Sequence, residues 1–432
     1  VPSRSSTLPP PPPTRSTPPT PARVGTVPPP EDAARQRDIV ALVDRVARSI
    51  DLSVLDVEPT VSPELAANLE RVVREQAVAM QREFRMSKDG DLERLSRDVL
   101  RELVGVGPFE VLLADESVVD IFLASHDRLL VEKSNHQVVP VVPTFSGQAA
   151  VARAVSRLVH QTGDPLREGE VTIERHLQNG SLLLAFAPPM ANAWAVTIRK
   201  RREVELSMEE LVRNGALAKS ISTFLESCVE ANVNVLVVGS DRGHVAGVLS
   251  ALARAIPAGQ RVVAIQDSEW IGIGLAQAVR IVVSERSEQT LRSVRAVSRL
   301  GADRLIVMSL TCSMGAATVE AIGEGTAGVT AGLIAPSLRQ GLARLTSQIA
   351  LSRPGTPVDV ARQAIADAFD VVVEIASPDG MLRVLRIAEL MGTDDRGIAT
   401  RDLFVYRPDA NGAVGESAYA VTGTSPRFSS EV

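Results

Sequence analysis

From Asn234 to Leu252 the chain reads Asn-Val-Leu-Val-Val-Gly-Ser-Asp-Arg-Gly-His-Val-Ala-Gly-Val-Leu-Ser-Ala-Leu. A short apolar run, Val235 to Val238, breaks at Gly239 into a polar turn, and an apolar helical pattern follows from Val248 through Leu249, Leu252 and Ala253. Strand, turn and helix in that order make the layout of a phosphate-binding loop. In such a loop backbone N–H groups and a helix N-terminus cradle phosphates, while a lysine and a hydroxyl handle charge and Mg²⁺. Laid on G-x-x-x-x-G-K-[ST], Gly239 takes the first position, His244 the second glycine, Val245 the lysine and Ala246 the hydroxyl. No shift of register repairs this, because the only lysines are Lys88, Lys133, Lys200 and Lys219, all upstream of the turn. The expectation is a phosphate-loop fold that has lost its hydrolytic apparatus.

The remaining turn residues, Ser240, Asp241, Arg242 and Gly243, are vestigial on this reading. Asp241 puts a carboxylate where anions would sit, and His244 replaces a glycine whose positive φ would cost a side chain roughly 1–2 kcal/mol. The Asp241 carboxylate is expected to cap the following helix by accepting from N–H groups near Gly243 or His244, which leaves a self-satisfied turn. Arg242 is read as a solvated loop residue in preference to a displaced cation, since a rigid guanidinium fork does not replace a lysine curled beneath a phosphate. His244 is not taken as a general base. Asp267 and Glu269 are read as surface charges before a Mg²⁺ pair, Asp303 and Arg304 as a structural ion pair, and Trp270 as a packing residue. Arg292, Arg295 and Arg299, on an expected helix from Thr290 to Arg299, are read as a solvated basic face before a docking surface.

The elements that would position this turn follow from composition and periodicity. With 432 residues, 45% of them apolar, the chain can bury at least two cores. A net charge of −6 without a dense basic run argues against nucleic acid or an anionic membrane surface as the main partner. Cys228 and Cys312 fit no metal spacing and are expected as buried thiols in a reducing cytosol. No apolar run reaches the roughly 18 residues that span a bilayer. Residues 1–31 hold twelve of the 27 prolines and read as a polyproline-biased, disordered linker. Such a start, at Val1, leads us to expect a longer polypeptide with something tethered upstream. Residues 32–104 recur at three and four and read as a small helical bundle. Residues 105–204 mix strands with one helix, as a compact α+β domain ending in Ala195 to Arg199. Residues 205–407 alternate strands and helices, the signature of a parallel, doubly wound α/β sheet, closed by a hairpin from Val371 to Glu389 across Pro378-Asp-Gly380. Residues 408–432 are polar and are read as a flexible tail.

From about Val104 to Arg407 the chain resembles the secretion ATPases of the type II/type IV superfamily, and most closely their tight-adherence (Tad) pilus branch. Gly105-Val-Gly-Pro-Phe-Glu, then Leu-Leu-Ala-Asp115 and Val119-Asp-Ile, are similar to that family's N-domain entry, and Val196-Thr-Ile-Arg199 to its interdomain motif. Asn234-Val-Leu-Val, Asp303-Arg-Leu-Ile-Val307 and Asp402-Leu-Phe404 also match. The resemblance implies a PAS-like N-domain, a RecA-like C-domain, and a hexameric cytosolic ring that hydrolyses ATP to drive a pilus or secretion machine. It also locates the departures. The family's I-E-D acidic box is Ile265-Gln-Asp267 here, its Walker B glutamate falls on Ser309, and its box histidine on Ile334. Lysine charge, Mg²⁺ hydroxyl and water-positioning glutamate act on different features of phosphoryl transfer. Losing one such group typically costs about 3 kcal/mol, and the losses stop adding once the path has collapsed.

The expectation is therefore a pseudo-ATPase, with Arg199 kept as an interdomain residue and Asp267 as a residual carboxylate. No cofactor or metal is expected; ATP and Mg²⁺ belong only to an alternative in which the chain is a slow, divergent ATPase. A third reading is a binding module, unrelated to secretion, that reuses the fold. The partners implied are an active paralogue or an inner-membrane platform protein, in a ring-type homo- or hetero-oligomer. The chain would be cytoplasmic and peripheral at the inner membrane, without nucleic acid and without direct membrane insertion.

Overall fold

In a computed structural model of the chain, the structure describes residues 30–57, 59–83, 86, 91–135, 137–200, 203–266, 270–271, 278–282, 296, 301–353, 355–377, 381–395, 397–407, 419–423 and 426–427. Two compact units divide between Lys200 and Arg201.

In the first unit, the apolar residues spaced by three and four form helices α1 (Pro30–Ser49), α2 (Val54–Val57), α3 (Pro63–Arg82) and α4 (Leu92–Val104). Leu42, Val46, Leu69, Val73, Val99 and Leu103 meet in their shared core. Ser62 caps α3 by accepting from Leu65 N–H, and Asp91 caps α4 by accepting from the N–H groups of Glu93 and Arg94. A short helix α5 (Pro108–Ala114) leads into β1 (Val118–Ser125), β2 (Arg128–Lys133), β3 (Val138–Pro140), helix α6 (Gln148–His160), β4 (Thr172–His176), β5 (Leu182–Phe186) and β6 (Ala195–Arg199). The six strands form an antiparallel sheet in the order β3-β2-β1-β6-β5-β4, with Val151, Val155 and Leu158 of α6 packed on Ile121, Ile173, Leu183 and Ile198. The connection from β2 to β3 is closed by Lys133 N–H donating to Gln137 C=O at 2.9 Å. The four N-terminal helices and the sheet are one unit, tied by charged groups: Arg153 reaches Asp56 at 2.9 Å, and Arg157 donates to the carbonyls of Leu103 and Gly105 at 2.6 and 2.7 Å.

The second unit contains β7 (Glu203–Val204), α7 (Met208–Arg213), α8 (Lys219–Glu230), β8 (Val235–Gly239), α9 (Arg242–Arg254), β9 (Val262–Gln266), β10 (Trp270–Ile271), β11 (Val279–Val282) and β12 (Arg304–Val307). It continues through α10 (Cys312–Gly323), β13 (Val329–Ile334), α11 (Leu338–Ser352), α12 (Val358–Ala368), β14 (Val371–Ala376), β15 (Arg383–Asp394), β16 (Gly397–Tyr406) and β17 (Tyr419–Val421). Among the described residues nine strands form one sheet, β11-β9-β12-β13-β8-β14-β15-β16-β17, parallel from β11 to β14 and antiparallel beyond. The fold is thus mixed α/β. β8 is buried at every position, as a central parallel strand must be when helices cover both faces. Its side chains alternate: Val235 and Val237 join Val245 and Leu249 of α9 on one face, and Leu236 and Val238 join Leu342 and Leu345 of α11 on the other. Cys228 lies buried on α8, where burial pushes its thiol up to about 12.

Three expectations change. The helix after β8 begins at Arg242, not Val248, because Asp241 starts it and His244 to Gly247 fit its first turns. The antiparallel part of the sheet runs beyond the expected hairpin, which β14 and β15 form; β16 and β17 continue it as a meander. Within the segment read as a loose tail, β17 pairs with β16, and the buried Tyr419 donates its hydroxyl towards Ala216 C=O and Val384 C=O, both at 3.1 Å. The buried ring and its hydroxyl contacts, with the pairing to β16, hold this short strand on the sheet. The expected helix from Thr290 to Arg299, with its three arginines, and the turn at Pro378 to Gly380 fall outside the described residues.

Candidate functional site

Sequence placed the chemistry at the C-terminal ends of β8, β12 and β13, where ligands of α/β sheets sit. The structure brings all four degenerate catalytic positions, Val245, Ala246, Ser309 and Ile334, to that edge. Ile334 is in register with Gly239, and Ala335 N–H donates to Gly239 C=O at 2.8 Å. Ser309 follows β12, between Met308 N–H, which donates to Ile265 C=O, and Leu310 N–H, which donates to Gly332 C=O at 2.8 Å. Val245 stands on the first turns of α9.

Only Ser240 and Asp241 separate β8 from α9, so the residues aligned with a phosphate cradle are already helical. Asp241 Oδ1 accepts from His244 N–H at 2.8 Å, and Asp241 C=O accepts from Val245 N–H at 3.1 Å. These two donors are therefore spent within the protein. Ring nitrogen Nδ1 of His244 lies 3.5 Å from the same Asp241 oxygen.

Val245 and Ala246 have no exposed surface at all. A Cβ added at Gly239 would stand 2.5 Å from Ile375 Cγ1 and 3.2 Å from Val245 Cγ2; one added at Gly332 would stand 2.2 Å from Met308 O and 2.8 Å from Val245 Cγ1. Both glycines are bare so that strands and valine close over the position where a lysine would project. Ile334 packs half-buried against the same core, and its carbonyl accepts from Arg344 Nη2.

Asp303 does not pair with Arg304. Its carboxylate accepts from Arg261 Nε at 3.1 Å, Nη2 at 2.9 Å and backbone N–H at 2.8 Å, and these bonds, the side-chain ones first, hold it down at about 2. Arg304 is buried instead, donating from Nε to Gln260 Oε1 at 2.6 Å. In the other unit Arg199 lies 3.6 Å from Asp120. Asp267 and Glu269, and the side chain of Trp270, lie outside the described residues.

Two residues were not singled out from sequence. Asn234 clips the sheet at the entry of β8: its N–H donates to Asp370 Oδ2, its Nδ2 to Ala368 C=O, and its Oδ1 accepts from Val329 N–H, each at 2.9 Å. The signal was present in the Asn234-Val-Leu-Val motif, but the asparagine there was not given its structural work. Gln266, aligned with the first acidic-box carboxylate, is buried with neither side-chain polar atom hydrogen-bonded among the described residues. No cluster of three or more metal-ligating side chains occurs among the described residues.

With this geometry in view, sequence comparison finds relatives in conjugative transfer. The chain is 25% identical over 274 residues to a protein of Sinorhizobium fredii described as "Probable conjugal transfer protein TrbB", covering 61% of this chain and 81% of that one. It is 23% identical over 289 residues to the conjugal transfer protein TrbB of Rhizobium radiobacter, covering 65% and 86%. The chain is thus similar in sequence to conjugal transfer proteins. Among solved structures, the VirB11 ATPase of the Brucella suis type IV secretion system aligns over 65% of this chain and 95% of its own, at 16% identity and a TM-score of 0.35. No family model matches the chain. Among the described residues, no helix is long and apolar enough to cross a membrane.

Proposed function

We propose that this chain is a catalytically inactive member of the secretion and Tad pilus motor ATPases, with a PAS-like N-domain and a RecA-like C-domain, retained as a structural or regulatory subunit. The observation that carries the reading is the sealed Val245. In an active loop the lysine at that position must reach solvent-side phosphates; here the side chain is core, held between β8, β13 and α9. A site that had merely lost a lysine would leave a gap or a polar replacement, whereas this one is packed as interior. The spent N–H groups of His244 and Val245 act in the same direction, since phosphate binding draws on unpaired donors. ATP affinity is accordingly weaker than about 1 mM.

The large, intact cores of both units point selection towards surfaces. The partners are a catalytically intact paralogue or an inner-membrane platform protein, met in a ring-type homo- or hetero-oligomer at the cytoplasmic face of the membrane. The test is Mg·ATP hydrolysis by the purified protein, with light scattering of the protein alone and mixed with the paralogue. Turnover at the buffer blank together with a mixed assembly is the expected result. Turnover abolished by substitution at Asp267 or Arg242 would establish a slow, divergent ATPase instead. A strict monomer indifferent to the paralogue and the platform would remove the proposed role and leave a binding module that reuses the fold.

A further inference from the structure

The first unit contains a cavity of about 330 Å³ between α1, α4, α5 and the segment 141–144, far in sequence from the degenerate turn. We infer that it is a binding site for a small phosphomonoester with an apolar or ring-bearing body, recognised by Arg94 and Arg97. The volume falls at the lower end of small-molecule sites.

One wall is cationic. Arg94, Arg97 and Arg101 share a face of α4, spaced by three and four residues, and Arg35 joins them from α1. The carboxylates lining the cavity are already engaged. Asp98 accepts from Arg35 Nε at 2.9 Å and also from its Nη2, with Arg101 Nη1 at 3.8 Å. Asp91 accepts the backbone N–H groups of Glu93 and Arg94 as the cap of α4, and Glu102 accepts from Ser146 N–H at 3.0 Å and from its hydroxyl. Arg94 and Arg97 are left with no side-chain partner among the described residues, so the cavity presents two uncommitted guanidinium forks. Planar forks match the oxygens of a phosphate dianion.

The opposite wall is apolar. Val111 is 49% exposed, a large hydrophobic side chain without cover, and it borders the cavity with Leu112 and Pro143. A bare inorganic ion would leave that wall wet; a phosphate carried on a ring would cover it while meeting the arginines. Cationic and apolar walls facing one another across a space of this size fit that class of molecule. The inference is independent of the proposed function, because none of its residues belongs to the second unit.

Calorimetric titration of the full chain with AMP, glucose 6-phosphate and inorganic phosphate, at constant ionic strength, tests it. At least one of the two ring-bearing esters is expected to bind saturably and more tightly than inorganic phosphate. Substituting Arg94→Gln and Arg97→Gln together removes two charge-assisted contacts and is expected to weaken binding by about tenfold or more. Val111→Asp, at an exposed position, is expected to do the same without touching the arginines. Arg71→Gln with Arg74→Gln, on the solvent face of α3, is the control and leaves binding unchanged. No saturable binding of either ester, equal affinity for esters and inorganic phosphate, or equal losses in the α3 control would each overturn the assignment. Binding removed by Asp241→Ala but retained in the Arg94 and Arg97 variant would move the ligand to the second unit, overturning both this inference and the absence of nucleotide there.

Discussion

At the head of α9 the buried side chains are Val245 and Ala246, and the polar work falls to one carboxylate, Asp241. At the junction of α4 with α6 the buried side chains include Glu102, Arg153 and Arg157, each 7% exposed or less, and each held by partners. Both regions are interior, yet one is apolar where the phosphate-loop pattern places a lysine and a hydroxyl, and the other carries charge between packed helices. Burial of a charge survives when its bonds are local and geometrically complete. Arg157 meets most of that condition: its two Nη atoms donate to carbonyls at the C-terminal end of α4, a position that also favours a cation, and its Nε alone has no hydrogen-bond partner among the described residues. A lysine beneath an empty phosphate loop would not meet it, since its partner would be a ligand that comes and goes.

The sharpest way to break this comparison is to put the charge back. Val245→Lys places an ammonium in a fully packed apolar core. Thermal or urea unfolding is expected to show a loss of about 3–5 kcal/mol, with no gain of ATP hydrolysis. A stable variant, or one that hydrolyses ATP, would mean that the position opens to solvent and that the site is dormant rather than closed.

The converse change tests the other region. Arg157→Met keeps an unbranched apolar stem and removes the guanidinium, leaving the carbonyls of Leu103 and Gly105 without these donors. The expected loss is about 2–3 kcal/mol, a little less than for Val245→Lys. Burial draws the guanidinium of Arg157 down to about 10, so it stays charged at neutral pH and the loss should not vary between pH 6 and pH 8. A neutral or stabilising result would show that the charge serves no structural purpose.

What the sequence disclosed follows the same division. Short apolar runs were legible: β8, buried at every position, and β6, buried at alternate ones, appear within a residue of the stretches Val235 to Val238 and Ala195 to Arg199. The start of α9 was not legible as periodicity, because Val245-Ala-Gly247 is apolar or small at every position and gives no amphipathic signal. β16 was hidden for the opposite reason. Almost all of its residues are half-exposed, so polar side chains interrupt its alternation. Of the candidate site, the missing groups could be read residue by residue, but the closure over Val245 could not. It depends on Gly332, which lies 87 positions downstream and approaches only through the β8–β13 register. The pairing of Asp303 with Arg261 instead of its neighbour Arg304 is likewise a contact across strands that sequence adjacency conceals.

A smaller effect is expected at Asp241. Replacing it by alanine removes the acceptor for His244 N–H and should cost about 1 kcal/mol, the usual worth of a helix cap. The same variant frees a donor and removes a negative charge from the turn, so it also sharpens the account of why phosphate is not held there. If Asp241→Ala acquires measurable Mg·ATP affinity, the cap had been the main obstacle; if it loses stability without gaining affinity, the closure over Val245 is the obstacle.

The smallest effect separates the regions by pH. Asp303, held at about 2 by Arg261, is depressed below the ordinary carboxylate value, so it binds fewer protons folded than unfolded near pH 3. Its contribution is present above the unfolded value of 3.8 and is lost as pH falls through the window towards about 2. Glu102 is displaced the other way: burial raises it, with the Ser146 bonds opposing. A raised carboxylate binds more protons folded than unfolded, so the stability of its surroundings falls as pH climbs from the ordinary carboxylate value through the raised one. Acid should therefore loosen the entry of β12 while the α4–α6 junction is relieved of a buried charge. Amide hydrogen exchange resolved by segment, from pH 6 down to pH 3, measures both, and Asp303→Asn should erase the acid-induced loss at β12 while leaving α4 unchanged. Parallel loss of protection in both segments would mean that the two carboxylates titrate together with a global transition, and that neither partner set defines a local environment of its own.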